Sequence, residues 1–450
     1  MTRKLILAVI DGLTPSMLEG AMGTETAPWL TRLAEMGSYR RAASTFPSLT
    51  PVCLSAIATG AHPDVHEIPH LVWWHRGEQR LVEYGSSFGA MRAVGARRSI
   101  NDTIFRMNAE HLGRGAVTVF EALEDGGLVP AAVNITCYRG RTTHYLTLPL
   151  STRTVLGPRR FFFYNLFESD VTGAPLSWRN RAAGSIDDYA AAVGRWLVTR
   201  DGFDLLVFYL SDYDYASHAA GPDRAHDALV RSDAAIGGLV ESAGGLDEFL
   251  ERYALVVLSD HGQSQVGRVA TLSEPFASVE DAVVTASNRA GQIYRLDGCR
   301  LDPRQLAARL DADASVEVTL FREADEAVAR REGEELRFAP GSGGWSSSGD
   351  SSLLEGPDAL ARAWAALANP NAGEVLVSAA DGWEFADLGG RHHLGGGSHG
   401  SLAAADSEVP VLTVGIDAEV RSIVDVMPLA LEHFGLEPPA YARRLALGAA

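Results

Sequence analysis

Three unbroken apolar runs, Leu5 to Ile10 (LILAVI), Leu205 to Leu210 (LLVFYL) and Ala254 to Leu258 (ALVVL), limit what this chain can fold into. A run with no polar alternation is how a strand reads when both faces of its sheet are covered, the normal state of a parallel sheet flanked by helices. Each run stops at a carboxylate: Asp11-Gly12, Ser211-Asp212-Tyr213-Asp214, and Ser259-Asp260-His261-Gly262. Helical patterns lie between the strands. Ala27 to Met36 has a proline in its first turn and Gly37 as its stop, and Val117 to Leu123 is closed by Asp125-Gly126-Gly127 ahead of the strand-like VPAAVNI. The alternation predicts an α/β fold, a mostly parallel central sheet with helices on both faces. In such sheets ligands sit beyond the carboxyl ends of the strands, so the polar strand ends are expected to converge.

With 450 residues the chain has room for two or three domains of roughly 150 each, but large α/β enzymes often host the excess as insertions. We read a single catalytic α/β domain over 1–450. It is interrupted by aromatic and arginine-rich insertions at 68–115 and 140–184 and by an α+β insertion at 268–395, which together are expected to form a lid or cap. In the last of these, ASNRAGQIYRLDG reads as a hairpin, PRQLAARL as a helix, and GSGGWSSSGDSS at 341–352 as a soft, mobile loop. The Phe161 to Tyr164 run (FFFY) suits either a substrate wall or the core.

The formal net charge of −18, from 57 acidic against 39 basic residues, repels phosphate backbones and anionic bilayers. It argues against a nucleic-acid polymer as partner. A small anionic substrate would need a local positive centre, which bound metal ions supply within an acidic protein. Cys53, Cys137 and Cys299 are too few and too scattered for a disulfide framework or a zinc ribbon. The four residues ahead of LILAVIDG are too short for a secretory signal, and no stretch approaches the roughly 20 apolar residues of a membrane span. A cytoplasmic location is the expectation.

Asp214 and His218 stand four apart in DYASH, so on a helix both would face one side and could grip one cation. Asp11, Asp260 and His261 also follow buried strands. His399 sits in GGGSHGS, where glycines allow backbone to pack closely around a ligand. Six such groups are enough for two cations about 4 Å apart, a spacing suited to clamping phosphoryl oxygens. The stretch FPSLTPVCLSAIATG then offers Thr50 ahead of a small-residue helix, where a hydroxyl meets a positive field. Thr50 is either a nucleophile or only a helix cap.

The ordered set VIDG, FPSLT with Thr59-Gly60 nine and ten residues on, DYASHAAGP, SDHG and GSHG resembles the alkaline phosphatase superfamily. Within it the chain looks most like the nucleotide pyrophosphatase/phosphodiesterase branch, with Pro63, His66 and Gly221-Pro222 also matching, over about residue 4 to residue 415. The resemblance implies that Asp214, His218 and His399 hold one divalent metal, and that Asp11, Asp260 and His261 hold the other beside Thr50. Thr50 would be both nucleophile and metal ligand. Zinc is the expected metal for mixed histidine and carboxylate donors, with manganese or iron as alternatives. Three aspartates against two divalent cations leave one net positive charge for an anionic substrate.

The same resemblance implies hydrolysis of small phosphoric esters, most readily phosphodiesters or nucleotide pyrophosphates, through a phosphothreonine on Thr50. A phosphomonoesterase or a carbon–phosphorus (phosphonate) hydrolase would share the metal set, and a non-catalytic nucleotide- or metal-binding protein would share the ligands without turnover. Three positions depart from the branch. Glu67 follows His66 in place of glycine, Leu71 stands where the branch has a phosphate-holding asparagine, and Leu54 stands where sulfatases need arginine. His70 is a candidate to replace the asparagine, with Trp73 and Trp74 as an apolar wall. Arg92, Arg97, Arg98, Arg139 and Arg141 are further candidates to face the phosphate, and His392 and His393 compete with His399 for the last metal position.

Overall fold

The computed structural model describes residues 2–86, 88–147, 152–169, 185–342, 344–389 and 392–442. Parts of all three expected insertions, 87, 148–151, 170–184, 343, 390 and 391, therefore lie outside the described residues. The main sheet has eight strands in the order Ser38–Ala43, Glu408–Val414, Tyr253–Leu258, Lys4–Ile10, Leu205–Leu210, Pro130–Val133, Arg160–Phe163, Phe167–Ser169. The five from Tyr253–Leu258 to Arg160–Phe163 are parallel, and Glu408–Val414 and Phe167–Ser169 run antiparallel to their neighbours.

The apolar runs are buried on both faces because alternate side chains enter different cores. Leu5, Leu7 and Val9 join one cluster with the Thr50–Thr59 helix, while Ile6, Ala8 and Ile10 join the other with the Ile186–Thr199 and His226–Ser242 helices. Register then sets the site. Ile10 pairs with Leu210 and Val9 with Leu258, so Asp11, Ser211 and Asp260 emerge together from the carboxyl edge.

The expected helices form as Pro28–Glu35 and as Val119–Asp125; the latter starts two residues late because Thr118 and Glu121 make a reciprocal capping box. Residues 268–395 carry a second, antiparallel sheet of seven strands, ordered Ala282–Ser287, Ala290–Arg295, Val375–Ala379, Val316–Glu323, Glu326–Arg331, Glu334–Gly341, Gly344–Gly349. The hairpin and the helix expected there are present, the latter as Pro303–Ala308. The soft loop is not. Leu336 to Gly341 pairs with Gly344 to Gly349, so this glycine- and serine-rich stretch is an edge hairpin held by backbone hydrogen bonds, which need no particular side chains. Trp345 anchors it edge-on against Phe338 and Trp364.

All three cysteines are free and buried. No helix among the described residues is long and apolar enough to cross a membrane.

Candidate active site

Thr50 opens the Thr50–Thr59 helix and does not cap it. Leu49 occupies the cap position and makes no side-chain cap hydrogen bond; Pro51 is tolerated in the first turn because those N–H groups have no partner within a helix. The Thr50 hydroxyl faces the strand ends, with Oγ1 3.1 Å from Nε2 of His261. The Asp212–Ala220 helix follows Leu205–Leu210 directly, and its pitch brings His218 Nε2 to 3.2 Å from Asp214 Oδ2. His399 arrives on a two-residue ribbon, Gly397–Ser398 against Ser264–Gln265, which puts its Nε2 3.8 Å from Asp214 Oδ1.

All three imidazoles are oriented the same way. Nδ1 of His218, His261 and His399 each donates to a backbone carbonyl, of Gly397 at 2.7 Å, Gly262 at 3.0 Å and Ser48 at 2.8 Å. Every Nε2 is thereby turned inward as a potential ligand atom, the orientation metal-binding histidines take from such outer partners. Donor atoms of Asp214, His218 and His399 lie within 4.8 Å of one another, as do those of Asp11, Asp214 and His261. The first group is the one expected. The second has Asp214 where Asp260 was expected; Asp260 Oδ1 receives the N–H groups of Gly12 at 3.2 Å and His261 at 3.0 Å. Oδ2 of Asp260, 3.5 Å from His261 Nε2, is buried without a partner, as is Oδ1 of Asp11.

These carboxylates are short of positive charge. Burial pushes Asp11 well above the usual range, with the Asp214 charge adding to it, and burial and then Asp11 do the same to Asp260. Burial would also raise Asp214, but the contacts with His218 outweigh it and hold the carboxyl below its ordinary value. His218 is raised to about 9: burial opposes its charge, and Asp214 overcomes that. His399 falls well below its ordinary value through burial and the neighbouring His261. Orphaned buried carboxylate oxygens among inward-facing imidazole nitrogens fit divalent cations, which would satisfy both kinds of donor.

Several supporting residues carry no sequence signature. Gln263 donates to Asp214 Oδ1 at 2.6 Å and accepts from the Ser217 hydroxyl at 2.5 Å. Gly12, at φ +68°, makes room for this pair, since a Cβ there would lie 2.9 Å from Asp214 Oδ1. The Tyr209 hydroxyl, hidden in an apolar run, donates to Asp11 Oδ2. Asn288, at the tip of the Ala282–Ser287/Ala290–Arg295 hairpin, lies with its Nδ2 3.1 Å from Nε2 of His399.

A cavity of about 700 Å³ opens over Thr50, Asp11, Asp214, His218 and His399. Leu71, Tyr84, Met91, Met107, Tyr164 and Tyr215 give it a largely apolar and aromatic wall, and among the described residues no lysine or arginine lines it. His70, Trp73 and Trp74 are not in that wall. His70 is fully buried and accepts the Val72 N–H at 3.1 Å; Trp73 is a core residue and Trp74 packs beside the core. Leu71 and Tyr84, which flank the Val72–His75/Arg80–Glu83 hairpin, line the cavity instead. Phe161, Phe162 and Phe163 are core, while Tyr164 reaches the cavity. The five candidate arginines are absent from the wall; Arg139 and Arg141 pair with Glu121 instead. His393 stacks on His218 at 3.9 Å and donates to Glu384, so it borders the site without joining either donor group; His392 is exposed.

A profile of type I phosphodiesterase / nucleotide pyrophosphatase matches residues 5–402. The chain belongs to this family. It is thus a phosphoric ester hydrolase, as the five motifs implied. Among solved structures it is similar to phosphonoacetate hydrolase from Sinorhizobium meliloti 1021 in complex with phosphonoformate, with TM-score 0.61, 19% identity and 95% of each chain covered. It is also similar to murine ectonucleotide pyrophosphatase / phosphodiesterase 5, with TM-score 0.62, 15% identity, and 98% of this chain and 97% of that one covered. These likenesses carry the alkaline phosphatase-like fold. Comparison with curated protein sequences finds no match.

Proposed function

We propose that this phosphodiesterase-family enzyme hydrolyses small phosphodiesters by attack of Thr50 on phosphorus, with an uncharged, apolar or aryl group seated against the cavity wall. The observation that supports the reading most is the Thr50 hydroxyl, unused as a cap and 3.1 Å from His261 Nε2 at the floor of a cavity without a lining cation among the described residues.

Asp214, His218 and His399 would hold one divalent metal, and Asp11, His261 and Thr50 the other, with Asp260 Oδ2 directed at the same place. Zinc suits the mixed donors best. Such a pair supplies Lewis-acid stabilisation of phosphoryl oxygens and eases deprotonation of a hydroxyl or water at neutral pH.

The chain's own residues do the rest. The helix start places Thr50 Oγ1 beneath the cavity, so attack proceeds from the floor and the leaving alcohol departs toward the open side. The P–O bond to Thr50 forms as the bond to the leaving alcohol breaks, and water later cleaves the phosphothreonine, returning the hydroxyl and releasing a monoester. Tyr209 and Gln263 hold Asp11 and Asp214 in place throughout.

A monoester or phosphonoacetate brings a further negative charge, which lysine or arginine ordinarily meets. The wall offers Leu71, Met91 and Met107 there, which favours the diester. Steady-state kcat/KM on paired mono- and diesters with the same leaving group tests the proposal: the diester should be faster, and a monoester advantage of about tenfold or more would overturn it.

A further inference from the structure

Asn288 belongs to the second sheet yet lies in the catalytic cavity, and its environment is built to hold it there. Its backbone is left-handed, φ 55°, which asparagine tolerates better than most residues. Next to it the Arg289 N–H donates to the His399 carbonyl at 2.9 Å, tying the hairpin tip to the histidine loop. The Arg289 guanidinium pairs with Asp406 at 2.7 Å, both fully buried, and the other Asp406 oxygen takes the N–H and hydroxyl of Ser401. Tip and loop are thus one rigid unit.

The side-chain amide has a defined orientation. Oδ1 accepts from the Ser287 hydroxyl at 3.0 Å, which turns Nδ2 toward the site. There it donates to Nε2 of His399, an acceptor because Nδ1 holds the proton shared with Ser48. This lone pair is the one His399 would offer a cation, and one lone pair cannot serve both.

Resting on the metal assignment proposed above, we infer that Asn288 is a substrate-binding residue: once His399 is ligated, its Nδ2 donates to a non-bridging phosphoryl oxygen. Asn288 lines the same cavity as Thr50 and His399 and is 8% exposed, so the displaced N–H would face the bound anion instead of bulk water. A neutral donor matches the single charge of a phosphodiester. It is also one of few side-chain N–H donors in a wall that has no lysine or arginine among the described residues.

The test is isothermal titration of the zinc-loaded enzyme with orthovanadate and with inorganic phosphate, preceded by zinc titration against a chromophoric chelator. Wild type, Asn288→Ala and Asn288→Gly are compared, the last keeping the left-handed backbone without strain. Both variants should bind zinc with wild-type stoichiometry and equal or higher affinity, while the Kd for the two oxyanions rises about 10- to 100-fold, the effect of losing one hydrogen bond to a charged group. Unchanged oxyanion affinity in both variants, with zinc retained, overturns the inference and leaves the metal assignment standing. Loss of zinc in both would make Asn288 a support for the metal site and also overturn it. A wild-type enzyme that takes up no divalent metal would remove the assignment and the inference together.

Discussion

The imidazole rings of His261 and His399 lie face to face, their centroids 3.6 Å apart and their planes within 10°. One ring follows a buried strand of the main sheet and the other ends a loop tied to the second sheet. Two stacked imidazoles with both Nδ1 atoms committed to carbonyls present two Nε2 donors side by side, each to a different acidic neighbour: Asp11 at 3.3 Å from His261 and Asp214 at 3.8 Å from His399. The stack is the seam between the two proposed metal positions.

Removing one side of that seam should cost metal. His261→Ala, or Asp260→Asn, is expected to lose about one equivalent of divalent metal and most activity, because the cation loses one of its few donor atoms and, with Asp260, part of the negative charge that balances it. Elemental analysis of each purified variant checks this, and two full equivalents in both would contradict the assignment.

Thr50→Ala should behave differently. It removes the proposed attacking oxygen and no cap, so turnover should drop by at least about a thousandfold while the unfolding free energy stays within about 0.5 kcal/mol of wild type. Phosphate trapped on the wild-type threonine at low pH and absent from the variant would complete the test. Near wild-type turnover would leave Thr50 without a chemical role.

Placing a cation in the apolar wall should redirect specificity. Leu71→Arg sets a guanidinium in the cavity, and the ratio of kcat/KM for a monoester to that for the matched diester is expected to rise about tenfold or more. An unchanged ratio would mean that the transferred group does not pass Leu71.

The contact between the two sheets depends on Gly400. At φ +122° its added Cβ would come 2.9 Å from Leu49 Cδ2 and 3.3 Å from the Arg289 nitrogen. Gly400→Ala is therefore expected to destabilise the protein by about 1–3 kcal/mol and to lower activity by shifting the hairpin tip. Urea unfolding with wild-type stability would refute this.

Asp187 makes stability depend on pH from outside the catalytic cluster. Burial, then the charge of Asp212, raises its carboxyl from 3.8 to about 7. The folded chain therefore holds a proton that the unfolded chain releases, and the contribution is complete below pH 4 and lost as pH rises through 7. Up to about 4 kcal/mol is at stake between those limits. Asn at this position can keep accepting the Ser211 and Asp212 N–H groups through its carbonyl, so Asp187→Asn should flatten the pH 5 to 8 stability profile relative to wild type. Chemical denaturation at both pH values would show it, and parallel profiles would refute it.

Much of the site was legible in the chain because its residues end strands whose burial pattern is written locally. Asp11, Asp214 and Asp260 each follow an apolar run, and a run buried on both faces can only be a central strand, so parallel neighbours bring their ends together. The one-sided placement of Asp214 and His218 follows from helical pitch alone. What the chain could not reveal rests on contacts between distant segments. Leu71 and Tyr84 line the cavity while Trp73, on the same face by strand alternation, goes to the core, because only the open end of the docked hairpin reaches the site. The glycine- and serine-rich 344–349 stretch becomes a strand because a partner edge is available, not through any propensity of its own. Asn288 reads as an ordinary turn residue until the Arg289–Asp406 pair brings its hairpin against the His399 loop. Local pattern determined which groups stand at strand ends; only the packing of the second sheet decided which other groups face them, since that packing depends on surfaces assembled from residues far apart in sequence.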